Sequence, residues 1–300
     1  MLSGAVGVSL VLKNCGIGSP PVVVIFLVQL VFFSYYPSFS NFFIGQLAFF
    51  IFFILALALN FCNTGNKIAG GILIGLAASI KLFCGLFILM LFFAKSWRAF
   101  FASALTVAVF ALVGAALGGV ESYLQYFSML KTIDWYGVNW NASYTGFFYK
   151  ILSSEYGFGW ESARGVWVQV ANVLTVLVAA YLSFQMASEV EKNQFNGFFA
   201  LAVPLMLIIS PLGWSYYFPL LFLIFPKLLE EVRYRGWGLA VMVFILGFSM
   251  TLPRIGLVGF DGLSAEGWHM NLLFYGLFLV VLAVVFMNYK PMDVKNKFEG

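Results

Sequence analysis

Residues 68–94 read IAGGILIGLAASIKLFCGLFILMLFFA, and Lys81 is the one charge among them. A lysine at bilayer depth is costly, by a few kcal/mol even on the mildest insertion scales. Such a residue by default faces a cavity, a partner or a substrate, which makes Lys81 a candidate functional residue. It also decides how the chain crosses the membrane. As one helix, the stretch would be about 40 Å long at 1.5 Å per residue, against a hydrocarbon core of about 30 Å. As two helices meeting at Lys81, each half is about 20 Å, enough for a thinned or protein-buried path.

Charge chooses between the two, because lysine and arginine accumulate in cytoplasmic loops. Lys290, Lys295 and Lys297 mark the tail as cytoplasmic, and Lys227, Arg233 and Arg235 do the same for the loop near 227–235. Counting back places 253–269 and 210–215 outside, 188–197 inside and 120–164 outside, with Lys95 and Arg98 inside. A vertex at Lys81 then puts Lys13 and Lys67 inside too. That gives eleven basic residues inside against five outside, with Lys81 outside. A single span gives nine against six, with Lys81 uncounted. The vertex is the preferred reading, and short, broken apolar segments of this kind often mark a binding site.

The rest of the 300 residues agrees with a membrane setting. The chain is 62% hydrophobic and 9% charged, with mean hydropathy +0.97, where a soluble domain carries about 25% charge. The apolar runs lack the period-2 alternation of a barrel strand, so they are expected to be helices. They lie at about 1–12, 20–36, 42–61, 68–80, 82–94, 99–119, 165–187, 197–209, 215–232, 236–252 and 270–288. The expected fold is all-α, a polytopic membrane protein of about nine to eleven transmembrane or half-membrane helices. We read 1–300 as a single transmembrane domain. Within it, 1–119 is a partial catalytic module, 120–164 an extracytoplasmic loop, 165–288 the C-terminal helices and 289–300 a cytoplasmic tail. There is no soluble domain and no clear repeat.

The net charge of +4 is scattered over loops and implies no nucleic-acid partner. Cys15, Cys62 and Cys84 form no CxxC pair and are expected to be packing residues. No metal signature exists, His269 reads as a loop histidine near the membrane interface, and no cofactor is expected. Met1 to Leu12 lacks the basic start of a signal peptide and is short for a span, so it reads as the end of a helix that begins upstream. No carboxylate precedes Glu121.

Four polar features share the outer face under this topology: Gly45-Gln46, Lys81, the segment Asp134–Ser143, and Ser210–Tyr217. Each has a plainer alternative. Gln46 can be a helix-end glutamine bonding backbone. Lys81 can snorkel to an interface, or it can hold an anion, phosphate above all, as a compact point charge. Asn141-Ala142-Ser143 fits a glycosylation sequon, read here as incidental. Trp135, Tyr136, Trp140 and Tyr144 around it can stack on sugar or form an interfacial aromatic belt. Pro211 breaks a helix ladder and frees carbonyls, lining either a kinked hairpin or a cavity.

Taken in order, these segments resemble glycosyltransferase family 87, C-type membrane enzymes that use polyprenol-phosphate mannose or related lipid-linked sugars. Gly45-Gln46 keeps two positions of a Gly-Gln-x-Asn motif, with Ala48 in place of the Asn. Gly75-Leu76-Ala77-Ala78-Ser79-Ile80-Lys81 matches a Gly-Leu-Ala-Ala-x-Ile-Lys motif. Ser96-Trp97-Arg98 matches a basic Trp-Arg loop, Asn141-Ala142-Ser143 an Asn-x-Ser element and Ser210-Pro211-Leu212-Gly213-Trp214 a Ser-Pro-x-x-Trp element. The resemblance spans roughly 20–225. It departs where the family often has a His after the Trp and this chain has Tyr216 and Tyr217.

The resemblance implies transfer of a hexose, mannose first, from a polyprenol-phosphate sugar to a lipid or glycan acceptor. Transfer would occur on the extracytoplasmic face of a cell (inner) membrane of the cell envelope, with the C-terminus cytoplasmic. Lys81 would steady the departing phosphate. Gln46, Asn141 and Ser143 would hydrogen-bond substrate, and Trp214 and Tyr217 would pack on sugar or prenyl carbon. Such transfer needs a base for the acceptor hydroxyl. The family's acidic residue is expected upstream of Met1, with Asp134 as a weak substitute, and a chain lacking the base is expected to be inactive. The rival classes are a transporter or flippase of amphipathic lipids and a non-catalytic subunit of an envelope glycan complex.

Overall fold

The computed structural model describes residues 1–16, 20–131, 136, 140–152, 160–235 and 272–288. The expected helix 236–252, the loop 253–269 with His269, the tail 289–300, Asp134 and Trp135 lie outside the described residues. Among those described, the elements are helices joined by short turns, as expected of an all-α membrane protein. They are α1 (Leu2–Asn14), α2 (Val22–Ser34), α3 (Tyr36–Ile44), α4 (Ala48–Asn63), α5 (Lys67–Ile80), α6 (Gly85–Phe93), α7 (Trp97–Gly118), α8 (Val120–Lys131), α9 (Tyr144–Leu152), α10 (Trp160–Gln185), α11 (Ala187–Glu191), α12 (Asn196–Ile209), α13 (Phe225–Arg235) and α14 (Leu272–Asn288). Two 3₁₀ stretches, Leu82–Cys84 and Ser215–Ile224, complete the set.

Lys81 stands between two helices, as the charge pattern anticipates. It has left the helix (φ −139°, ψ 111°), and its N–H closes α5 on the Ala77 carbonyl. The chain then returns. The position of Gly71 on α5 abuts Ala99 on α7, and Gly75 abuts Ser103. A four-residue step on α5 is thus matched by a four-residue step in the same direction on α7, so the two helices run parallel. Parallel α5 and α7 require the segment between them to come back, and α6 does so. The close approach depends on glycine: a Cβ on Gly75 would lie 2.5 Å from the Ser103 carbonyl oxygen. Small residues are what let helix backbones pack this tightly in lipid.

Other boundaries moved, each for a local reason. The expected segment 20–36 is α2, and the residues after it add a further helix, α3, bent by 65° from α2 at Tyr35. Pro37 lies in the first turn of α3, where a proline ring would clash with a carbonyl of any helix continued from α2. The segment 42–61 begins its helix later, at Ala48. Gly45 takes a left-handed φ of 71° to end α3, and the Asn41 side chain accepts the Ala48 N–H at 3.1 Å. The run 215–232 opens as a ten-residue 3₁₀ helix containing Pro219. At about 2 Å per residue a 3₁₀ helix covers roughly 20 Å in ten residues, which carries the chain through the protein before α13 begins. Within 120–164, the described residues include α8, α9 and the start of α10.

The core forms around α4 and α12. Every residue of α12 from Gly197 to Ile208 is buried, as are Ile51, Phe52, Leu55, Leu59 and Cys62 on α4. By contrast α7 buries only Ala99 and Ser103, which fits a helix bathed in lipid. Among the described residues, α7 and the Val166–Gln185 part of α10 are long and apolar enough to cross a membrane alone, and the bent pair α2–α3 would make a third. The remaining apolar helices are 10–17 residues long and fall short of a full span.

The end of α4 meets the start of α12 through Asn63 and Asn196, and the polar residues sort into two groups at the two ends of these helices. At one end, Asn63 donates to Asn14 (2.8 Å) and Asn196 (2.9 Å) and accepts from the Phe195 N–H (2.8 Å), joining α1, α4 and α12. Lys67 there donates to the Val190 and Glu191 carbonyls at 2.8 and 3.1 Å, a cation at the negative end of α11. Gln46, Lys81, Asn141 and Trp214 are at the opposite end.

Candidate active site

The C-terminus of α5 delivers Lys81 half-buried to this opposite end. Its ammonium lies 5.5 Å from the centre of the Tyr217 ring, near enough for a cation–π attraction. Among the described residues no carboxylate pairs with it. The helix break adds favourable dipoles: the first amides after Lys81, those of Leu82 and Phe83, are the ones a helix start leaves without an intrahelical partner. A Cβ on Gly85, the first residue of α6, would meet nothing within 4 Å, so there is open space where the positive end of α6 begins.

Tyr217, 2% exposed, is the meeting point of three elements. Its hydroxyl donates a long 3.4 Å bond to Gln46 Oε1 in the α3–α4 turn. Its ring packs edge-on against Phe83 at 5.0 Å. It is also the end of a ladder of rings, with Trp214 stacked on Tyr216 at 5.9 Å and Tyr216 tilted against Tyr217 at 4.9 Å. The structure therefore brings Gln46, Lys81 and Tyr217 together, from positions 171 residues apart at the extremes.

Asn141, Ser143 and Trp214 form a second, adjoining group. Trp140–Ser143 and Gly213–Ser215 pair as two short extended pieces: Ala142 N–H donates to the Gly213 carbonyl and Ser215 N–H to the Trp140 carbonyl, each at 2.9 Å. The Asn141 amide completes the join. Its Nδ2 donates to the Tyr136 and Pro211 carbonyls at 3.0 and 3.1 Å. Its Oδ1 accepts from the Ser143 hydroxyl at 2.8 Å, the Gly213 N–H at 3.0 Å and the Ser143 N–H at 3.2 Å. Ser143 in turn starts α9, its hydroxyl oxygen accepting the Gly146 N–H at 3.1 Å, as an N-cap serine does. Both side chains are wholly buried and engaged inside the protein, where the sequence pointed to substrate contacts. A glycan cannot be added to Asn141 in this fold.

Three further residues shape the site: sequence reading assigned Asn41 and Gly213 no role of their own, and Pro211 only that of a helix breaker that frees carbonyls. Asn41, buried on α3, holds the turn that presents Gln46. Pro211 supplies the carbonyl that Asn141 grips. A Cβ on Gly213 would lie 2.5 Å from the Leu207 carbonyl oxygen and 3.0 Å from Ser143, so only glycine fits. Tyr144, a candidate for stacking on sugar, instead accepts a 3.0 Å hydrogen bond from Thr175 and packs on Phe274 of α14. Cys15, Cys62 and Cys84 are all buried, in keeping with packing roles.

The family model of Glycosyltransferase family 87 matches residues 2–211. The chain belongs to glycosyltransferase family 87. As a family 87 member it is a membrane glycosyltransferase, working on a sugar donor and an acceptor. The matched stretch holds Gln46, Lys81, Asn141 and Ser143 and ends at Pro211, so Trp214 and Tyr217 come from the part of this family 87 chain beyond the match. Neither the curated proteins nor the solved structures include a match.

Proposed function

We propose that this glycosyltransferase moves a hexose, mannose first, from a polyprenol-phosphate sugar to a lipid or glycan acceptor at the extracytoplasmic face of the cell membrane, with its C-terminus cytoplasmic. The observation that supports this most is the convergence of Lys81, Tyr217 and Gln46 at a helix break. A single ammonium beside the positive end of α6 suits one phosphate group. The half-buried setting gives that charge more weight than water would allow.

The roles follow from the chemistry. As the sugar–phosphate bond breaks, negative charge grows on the departing lipid phosphate, and Lys81 stabilises it. Tyr217, buried beneath the ammonium, holds the lysine stem in place, and the half-buried Trp214 offers a ring face to prenyl or sugar carbon. Gln46 supplies a donor and an acceptor for sugar hydroxyls. The acceptor hydroxyl must lose a proton. For the base we carry forward Asp134, the sole carboxylate between Lys131 and Asn141. We read the Lys67 end, with its lysines and Asn63 network, as cytoplasmic, which places the Lys81 end outside.

A transfer assay in proteoliposomes tests this reading. The purified protein is given polyprenol-phosphate mannose, and the products are examined for a new glycosidic bond. Sugar appearing in a new covalent product is the expected result. Movement of intact donor between leaflets with no new bond would favour a flippase and remove the proposal.

A further inference from the structure

Every polar atom of the Asn141 amide is used within the protein, and the bonds it makes bridge two loops about seventy residues apart. We propose that Asn141 is a positioning residue: it fixes the Ser210–Tyr217 loop so that the Trp214–Tyr216–Tyr217 ladder holds Lys81 in its anion-binding pose. This rests on the reading of Lys81 as the seat of a lipid phosphate.

The path from Asn141 to Lys81 is continuous. Asn141 takes the Gly213 N–H and grips the Pro211 carbonyl, on either side of Leu212. The paired backbones on both sides of Asn141 leave the intervening Trp214 one placement, and the Tyr217 N–H bonds back to the Trp214 carbonyl at 3.0 Å. Trp214 then sets Tyr216, Tyr216 sets Tyr217, and the Tyr217 ring lies over the ammonium. Close packing shields the clamp: a Cβ on Gly146 would come within 2.7 Å of the Asn141 Cγ, and one on Gly213 within 3.0 Å of Ser143. An asparagine is required rather than an aspartate, because two of the five bonds are donated to carbonyls that a carboxylate would repel.

The test is a double-mutant cycle on ligand binding, which does not require sugar transfer. Farnesyl phosphate is the probe, titrated into the full chain in nanodiscs as wild type, Lys81→Ala, Asn141→Ala and the double variant. A positioning role predicts that Asn141→Ala weakens binding by about tenfold, and that the double variant binds no worse than Lys81→Ala alone, since coupled residues do not add. Additive losses would mean Asn141 acts independently of Lys81 and would overturn the inference. A Lys81→Ala protein that binds as wild type does would overturn the phosphate seat itself, and with it this inference; the single variant thus separates the two failures. If Asn141→Ala does not fold, Ser143→Ala, which removes one bond to the same Oδ1, enters the cycle in its place. It is expected to weaken binding by about threefold with the same non-additivity, and additivity there overturns the inference equally.

Discussion

At the scale of single residues, the Lys81–Tyr217 contact sets two effects against each other. The Tyr217 hydroxyl bond to Gln46 is 3.4 Å long, at the weak end of hydrogen bonding. The ring face beside the ammonium is worth about 0.5–2 kcal/mol. The ring should therefore dominate: Tyr217→Phe is expected to hold donor affinity within about threefold, and Tyr217→Ala to lose about tenfold. Equal losses in the two variants would shift the weight to the hydroxyl. Asp134→Asn should lower kcat by at least about a hundredfold if Asp134 is the base; a steady-state assay showing unchanged kcat removes it from the mechanism. Lys81 was legible in the sequence because a charge inside an apolar run has no innocuous place to go. Gln46 and Tyr217 were legible as candidates but not as partners, since nothing in sequence spacing joins them. Asn141 shows the limit most clearly: a polar side chain in a polar segment looks the same whether its bonds go to ligand or to backbone.

At the scale of elements, the α5–α7 contact depends on missing side chains. Gly75→Val would drive a Cβ against the Ser103 carbonyl, and overpacking of this kind costs about 1–3 kcal/mol. Thermal unfolding in detergent should show a clear drop in Tm; an unchanged Tm would mean the two helices are not packed at this point. The Asn63 junction gives a second check at this scale. Asn63→Ala removes three part-buried hydrogen bonds that tie α1, α4 and α12, each worth about 0.5–1.5 kcal/mol net, again read as a fall in Tm. Charge counting exposed the Lys81 vertex because topology and lysine placement are linked. The bend at Tyr35 and the 3₁₀ helix over Ser215–Ile224 were hidden because hydropathy does not register backbone geometry. Pro37, just beyond the run 20–36, and Pro219, inside the run 215–232, carried that information.

For the whole molecule, the arrangement separates a polar, lysine-bearing end from the end that holds Lys81. The Asn63, Lys67 and Asn196 contacts hold several helices in register at the first end, so that the helix break opens at the second. Sidedness follows. A cysteine at Leu47, 51% exposed beside Gln46, should react with a membrane-impermeant maleimide on intact cells. A cysteine at Thr64, exposed in the α4–α5 turn, should react only after permeabilisation. The opposite pattern would invert the proposed topology. The all-α membrane architecture was plain from composition alone, since so apolar a chain must satisfy its backbone in helices or a barrel. The assembly of three distant residues at Lys81 was not, because it arises from how the short helices pack. The most direct measurement is the equilibrium binding of polyprenol-phosphate mannose to nanodisc-embedded wild type and Lys81→Ala. If Lys81 holds the phosphate, the substitution weakens binding by at least about tenfold, as expected for a lost charge-assisted contact, while Tm stays near that of the wild type. Equal affinity for the two proteins would contradict it.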